Sequence, residues 1–465
     1  MIIIRKILFL MPLLIVFLFG MSFAESRPAA FPGAEGGGSQ AIGGRGGRII
    51  EVTNLKSEGP GSFRNACEDK GPRIVIFRVA GSIDLDGNPI IIKNPYITIA
   101  GQTSPGGGIL IKGHEIRVKT HDVIIRYIRI RTGRRDKFSY QEGDALAISG
   151  NCYNVIIDHC SLSWSNDENA QIWSGKKPAH NITFSWNLIA EGLKYNHPSC
   201  GLIVGSDTNP GGIHSISIHH NLFMNGHNRF PLVKCRDARI INNIIYNWKW
   251  FATGISGGIK VDIIGNKFKM GPITPDSKSR EVLVLPYKGS HDHGVAGNPS
   301  IYMVGNQGPN QQNPKDDNWR MLWMYKTSPP FPPDKTESER HIALQEYPFP
   351  TRIHAVSELE KIILQHVGAW ARLDKHGNLA PNRDEVDKRL IYEYINSKGM
   401  IPVDEHDVGG FPEISHDKPP IDTDHDGMPD IWENINKLNP YDPSDANVIR
   451  NGNSYTNIER YINGK

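Results

Sequence analysis

Seven stretches of this chain can be laid over one another, and that self-similarity limits the fold more than any other feature. HDVIIRYI, YNVIIDHC, HNITFSWN, HSISIHHN, DARIINNI, KVDIIGNK and SIYMVGNQ each alternate β-branched or apolar residues, then step into a polar or glycine position. At that step stand Asn187, Asn221, Asn243 and Asn266, with Asn306 as a fifth. Asn221 to Asn243 and Asn243 to Asn266 are intervals of 22 and 23 residues; the longer intervals elsewhere fit loops of unequal size inserted into a constant coil. A strand-rich period of this length indicates a solenoid, here an all-β parallel β-helix. One coil cannot bury its own apolar side, but stacked coils share a continuous core. The asparagines are read as architectural, each amide donating to the next, because a buried amide needs such a supply of partners.

The flanks read differently. FPGAEGGGSQAIGGRGG is expected to lie as an irregular cap over the first coil, with strands following at RIIEVTNL, RIVIFRVAG, PIIIKN and YITIAGQ. Residues 307–350 are rich in proline, asparagine and charge, and read as a surface excursion. Ser357 to Glu360 has the form of a capping box opening a helix through about Val367, and RDEVDKRLIYEYIN starts a second from Arg383. The helical segments, at about 356–398, are expected along the outside of the solenoid or across its end. Glycine and proline in VGGFPEISHDKPPID then mark a linker, so the main domain is expected over 25–411 and a small module over 412–465.

Residues 1–24 have the pattern of a signal peptide: Arg5 and Lys6, an apolar run over 7–20, and small residues at Ser22 and Ala24, with cleavage expected after Ala24. That implies secretion, extracellular or periplasmic, and no later apolar run is long enough for stable membrane insertion. Export permits disulfides, but Cys67, Cys152, Cys160, Cys200 and Cys235 are odd in number and fit no small stapled scaffold; they read mostly as buried between coils. The formal net charge of +3 does not by itself select a partner, and nothing points to nucleic acid.

FPGAEGGG, ITIAGQTSPGGG, VIIRYIRIRTG, GDALAISG, VIIDHCSLSWSNDE and HHNLFMNGHNRFP, in this order and spacing, resemble polysaccharide lyase family 1. The likeness is greatest to the bacterial branch of pectate lyases that carries a DHCSxSWxxDE run, and it covers roughly residues 31–270. It implies a right-handed parallel β-helix and cleavage of an acidic uronate polymer by β-elimination. In that chemistry a base removes the C5 proton and the glycosidic oxygen on C4 leaves. Ca²⁺ on the sugar carboxylate stabilises the enolate-like transition state, and Ca²⁺ requires hard oxygen ligands.

By resemblance, Asp144 matches the first calcium-ligand aspartate and Asp167 the second. Where the third carboxylate usually stands this chain has Gln171; Glu168, beside Asp167, compensates only if the chain turns there, since adjacent strand residues face opposite ways. Arg229, in HNRFP, matches the catalytic arginine assigned as general base. An arginine is protonated at neutral pH, and the family answers with an alkaline optimum. Lys234 stands where a second arginine usually grips the substrate carboxylate, keeping the charge without the bidentate fork. Lys194 corresponds to a substrate-binding lysine, with His197 as its rival. The Asp158-His159 pair is structural in the family. Arg126, Arg129 and Arg131 either form a basic floor for a polyanion or pair with acids.

The C-terminus carries a separate signal. In DTDHDGMPDIWE, Asp422, Asp424, Asp426, Asp430 and Glu433 fall at positions 1, 3, 5, 9 and 12 of an EF-hand loop, with Gly427 at position 6. The loop also resembles those of dockerins and thrombospondin type-3 repeats, and NGNSYTNIERYIN looks like a degenerate second half; a folding staple is the reading of the module. The whole predicts a secreted, monomeric, calcium-dependent pectate lyase acting on polygalacturonate. Its rivals are a lyase for another uronate polymer, a polygalacturonase-type hydrolase with paired carboxylates, and a non-catalytic carbohydrate-binding β-helix.

Overall fold

The computed structural model describes residues 27–134, 143–194, 198–276, 280–285, 294–325, 349–450 and 452–465. The proposed leader, 1–24, lies outside them.

Three parallel sheets wind around one core. The first has ten strands, from Arg48–Val52 to Ser300–Val304; the second has nine, from Ile90–Ile92 to Leu322–Met324; the third has eight, from Gly81–Asp84 to Lys267–Lys269. Successive strands of one sheet come from successive coils, the topology of a right-handed parallel β-helix. Registration is continuous: Val123, Val155, Ile182, Ile216, Ala238 and Val261 are stacked partners, all wholly buried. This is why the alternating β-branched pattern recurs. The inward residue of every coil sits on its counterpart, and each fully buried aliphatic side chain contributes roughly 1.5–3 kcal/mol.

The corner after the ten-stranded sheet is built from left-handed residues. Tyr127, His159, Trp186, His220 and Asn242 have φ between 51° and 57°, and Gly265 and Gly305 continue the column at 62° and 70°. Immediately after it runs the ladder. The Asn187 amide donates to Asn221 Oδ1 at 3.0 Å, and the same contact repeats from Asn221 to Asn243, Asn243 to Asn266, and Asn266 to Asn306, each at 3.0 Å. All five expected asparagines lie in it, and Asn318 adds a last rung at 2.9 Å. Outside, another column stacks the rings of His121, Tyr153, His180 and His214, with neighbouring centroids 4.4–5.3 Å apart.

The glycine-rich N-terminal segment does not cap the first coil. It crosses the outer face of the ten-stranded sheet, where the amides of Gly44, Gly38 and Gly37 donate to the hydroxyls of Thr98, Thr183 and Ser217 at 2.9–3.0 Å. A Cβ on Gly38 would stand 2.2 Å from the Val155 carbonyl oxygen, so close approach explains the glycine there. The cap is instead the short helix Phe63–Glu68, which inserts Phe63, Ala66 and Cys67 into the end of the core.

Helices Leu359–His366 and Glu385–Ile395 cover the eight-stranded sheet, packing Leu359, Ile363, Leu390 and Tyr394 on Leu188, Leu222, Ile244 and Tyr246. The first has no capping box: a 3-10 turn over Val356–Glu358 leads into it without a side-chain cap. Arg129 and Arg131 are buried against this layer, Arg131 bonding to Asp384 and Asp387 at 2.7 and 2.8 Å, and Arg126 pairs with Asp158. The three arginines pair with acids and form no open floor.

Residues 412–465 do not hang from a free linker. Ile414 packs with Ala80 and Leu110, and Met428, Trp432, Ile458 and Tyr461 pack on Ile74, Ile76 and Ala100 of the ten-stranded sheet. All five cysteines are buried and free. Among the described residues, no helix is long and apolar enough to cross a membrane.

Candidate functional site

The outer face of the nine-stranded sheet carries Arg117, Gln171, Trp173 and Lys234, each partly exposed. At its edge three acids converge: Asp144, Asp167 and Glu168 each offer a carboxylate oxygen within 4.8 Å of the others. Local backbone produces this. Asn166 and Asp167 both donate their amides to the Gly143 carbonyl, at 2.8 and 3.2 Å, so the chain turns just before strand Glu168–Trp173. The turn lets neighbouring Asp167 and Glu168 face the same point. The Glu168 amide then donates to Asp144 Oδ1 at 3.1 Å, fixing the buried aspartate.

Gln171 lies in the same register row as Ala147, one coil along, and its amide donates to Asp144 Oδ2. Arg229 comes from two coils further: Glu168 pairs with Cys200, and Cys200 bridges to Asn228. At φ 64° Arg229 turns out of the strand direction, and its Nη1 donates to Glu168 Oε1. Cation-ligand candidates and the catalytic candidate are therefore in direct contact. Lys234 is half-buried on the same sheet, its amide donating to Val204 O at 2.8 Å. Lys194 is exposed where its amide meets Pro402 O, and its side chain makes no hydrogen bond or ion pair with the acid cluster. His197 falls outside the described residues.

Burial, then the charges of Asp167 and Glu115, pushes the Asp144 carboxyl well above the usual carboxylate range, against the Gln171 amide and Arg117. Like charges are held together in a low-dielectric edge, an arrangement that a hard divalent cation relieves. Glu115, on the preceding coil, is buried and paired with Arg117 at 2.5 Å. Neither residue stands out in the sequence; only aligning Glu115-Ile116 with Ala145-Leu146 coil on coil points to them. The Asp158-His159 pair lies elsewhere, in the corner column. Asp158 is held by Arg126, Ser185 and His159 at 2.6–2.8 Å, which makes it a brace.

A second acidic group lies in the tail. Asp422, Asp424 and Asp426 form one set within 4.8 Å, and Asp426, Glu433 and Asp445 another. Asp430 is in neither: its two oxygens accept from the amide and hydroxyl of Thr423 at 2.8 and 2.7 Å. Burial, followed by neighbouring charge, raises the carboxyls of Asp426 and Glu433 to about 8.

Comparison with known proteins finds relatives of the chain. A family model described as pectate lyase matches residues 76–288. A protein named "Probable pectate lyase C" from Emericella nidulans is 32% identical over 440 residues, covering 93% of this chain and 92% of its own. The pectate trisaccharide-lyase of Bacillus licheniformis is 26% identical over 235 residues, 49% of this chain and 64% of its own. In fold, a pectate lyase bound to a hexasaccharide superposes with a TM-score of 0.53 at 15% identity, covering 74% of this chain and 99% of that one. A Bacillus subtilis pectate lyase gives 0.51 at 15% identity, with 72% and 96% covered.

Proposed function

The chain belongs to the pectate lyase family and is a polysaccharide lyase that cleaves pectate, and on that premise we propose that it acts by calcium-dependent β-elimination at the Asp144–Arg229 edge. The observation that carries this reading is the contact between Arg229 and Glu168, which brings the general-base candidate to the acid cluster. Asp144, Asp167, Glu168 and Gln171 are the residues that would hold Ca²⁺; all four offer hard oxygens, and the convergence of the three carboxylates within 4.8 Å fits that donor set. When bound, the ion supplies positive charge against a uronate carboxylate and so acidifies the C5 proton.

Having first given up a proton to alkaline solvent, Arg229 in its neutral form accepts that proton. The C5–H bond breaks, its electron pair forms the C4–C5 double bond, and the C4–O bond breaks, the departing chain keeping the oxygen and taking a proton from water. A carboxylate beside a guanidinium holds its proton on, so Arg229 acts once Glu168 is engaged elsewhere. Lys234 and Arg117, on the open face, neutralise carboxylates of the polyanion, and Trp173 offers a flat apolar surface to a sugar ring. The tail loop is read as a second, structural calcium site, and the N-terminal pattern of Arg5, Lys6 and the apolar run supports secretion.

The test is to incubate the protein with polygalacturonate, with and without EGTA, following ultraviolet absorbance of the new double bond alongside reducing ends. Expected is absorbance rising in step with reducing ends and lost in EGTA. Reducing ends without absorbance would identify a hydrolase; neither signal would identify a binding protein.

A further inference from the structure

The tail holds five carboxylates that are not satisfied by the protein. Asp422 uses Oδ2 on the Gly427 amide and Arg78, Asp424 uses Oδ1 on the Asp426 amide, Asp426 uses Oδ1 on the Met428 amide, and Asp445 uses Oδ2 on the Asn439 amide. In each case the other oxygen is buried without a hydrogen-bond partner: Asp422 Oδ1, Asp424 Oδ2, Asp426 Oδ2 and Asp445 Oδ1. Glu433 is fully buried, and neither of its oxygens has a partner. An unsatisfied buried carboxylate costs several kcal/mol, and five converging on one place point to a missing positive charge.

Resting on the reading of this loop as a calcium site, we propose that Asp422, Asp424, Asp426, Glu433 and Asp445 hold one Ca²⁺ that clamps the tail onto the first coils of the β-helix, with Asp445 filling the place that Asp430 has in the loop pattern. Asp430 is committed to Thr423. Asp445 arrives from the following segment, whose main chain is tied to the last helix by the Asn457 amide donating to Asp445 O at 2.9 Å. The ion thus joins both halves of the module, including the half whose own loop has lost its acids. The module in turn grips the solenoid. Gly427, at φ 90°, presses the loop apex against Ile49 and Ile76, where a Cβ would stand 3.0 Å from either side chain. Arg78 bridges Asp422 and the Pro420 carbonyl, and at the far end Gln102 and Arg126 bond to Ile462 and Asn463. Cation binding at the loop is therefore coupled to burial of Ile74, Ile76 and Ala100 on the outside of the sheet.

The full chain, stripped with EGTA, is titrated with Tb³⁺ while emission sensitised by Trp432, next to Glu433, is recorded, and its thermal midpoint is measured with and without Ca²⁺. Expected are losses of about tenfold or more in Tb³⁺ affinity for Asp445→Asn and Glu433→Gln, with most of the calcium-dependent rise in Tm removed, while Asp430→Asn changes affinity less than about threefold. Trp432→Phe removes the part of the sensitised signal that comes from the tail and so assigns it, separating it from any emission sensitised by Trp173 at the groove. In EGTA the neutral variants melt no lower than the parent, because each relieves repulsion; equal losses of Tm in EGTA and in Ca²⁺ would reveal a packing role and overturn the proposal. If Asp430→Asn costs as much as Asp445→Asn, this ligand set falls while the calcium loop stands. If Asp422→Asn and Glu433→Gln both leave emission and Tm response unchanged, the calcium loop itself falls.

Discussion

Arg229 and Glu168 stand 61 residues apart in the chain and two coils apart in the solenoid, yet Nη1 of the arginine donates to Oε1 of the glutamate. A residue that could serve as clamp or base is thereby tied to the proposed cation ligands. The two roles separate in the kinetics. If Arg229 is the base, Arg229→Lys is nearly as damaging as Arg229→Ala, because lysine keeps the charge but not the reach or the planar geometry. Expected is a fall in kcat of about 10²–10⁴-fold with KM changed less than about threefold. Lys234→Ala is expected to raise KM more than it lowers kcat. Retention of turnover by Arg229→Lys with weakened binding would make Arg229 a clamp, and the base would be sought at Lys194 or His197.

Gln171 supplies a neutral amide where a third carboxylate would strengthen cation binding, and that amide donates to Asp144. Gln171→Glu therefore raises Ca²⁺ affinity at the groove by about tenfold, roughly 1.4 kcal/mol. The same change adds repulsion when no ion is bound, so Tm in EGTA drops. Calorimetric titration and melting in EGTA read both effects; unchanged affinity would remove Gln171 from the ligand set.

The ladder was legible because it obeys a simple physical demand. A polar amide at one place in each coil can be satisfied only by its neighbours, so Asn187, Asn221, Asn243, Asn266 and Asn306 announce themselves. Asn318 did not, because a 3-10 turn and not a strand delivers it, 12 residues after Asn306. Asp144, Asp167 and Glu168 were legible through motif resemblance, but that Asp167 and Glu168 face one way depends on the turn at Gly143. Asp445 was hidden for the opposite reason to the ladder. It belongs to no local pattern and reaches the loop only through the fold of the module, whereas Asp430, which the loop pattern offers, gives both oxygens to Thr423.

Acid weakens the fold through its buried imidazoles. His219 and His220 are buried with their Nδ1 atoms 2.9 Å apart. Burial, then Arg239 and His159, lowers His219 to about 4, against Asp158 and a hydrogen bond to the Glu35 backbone. Burial, then His219, His354, Arg352 and His159, holds His220 well below its usual value. An unfolded chain takes up these protons near pH 6.5, whereas the folded one protonates His219 only near 4 and His220 well below its usual value, so stability falls as pH drops below about 6.5. Asp158, held below the usual carboxylate range by His159 and Arg126 against its burial, contributes its loss only at lower pH. Urea midpoints between pH 4.5 and 8 should decline toward acid, and His219→Gln should flatten the slope. Equal midpoints at pH 5 and 7 would sink the idea.

The ladder itself can be ranked rung by rung. Asn243 is wholly buried and serves both neighbours: its Oδ1 accepts from the Asn221 main-chain and side-chain amides, each at 3.0 Å, and its Nδ2 donates to Ile218 O and Asn266 Oδ1 at 2.9 and 3.0 Å. Asn243→Leu keeps the volume but removes the acceptor of two Asn221 donors and the side-chain donor to Ile218 O and Asn266 Oδ1. The latter keeps only its bond from the Asn243 main-chain amide, and each group that finds no substitute costs about 1–3 kcal/mol. Some relaxation follows, so the expected net loss is about 3–5 kcal/mol, at the severe end for one substitution. Asn318 also accepts from two Asn306 amides, but its own Nδ2 donates to carbonyls of its local turn, Pro314 and Asp316, at 3.4 and 3.1 Å. With no rung beyond it among the described residues, Asn318→Leu should cost about 1–2 kcal/mol. Urea midpoints at unchanged m-value measure the difference, and both proteins should keep the parent's kcat in their folded fraction, since neither asparagine touches the groove. An Asn243 variant no less stable than the Asn318 variant would show that the rungs act singly and that their stacking adds nothing.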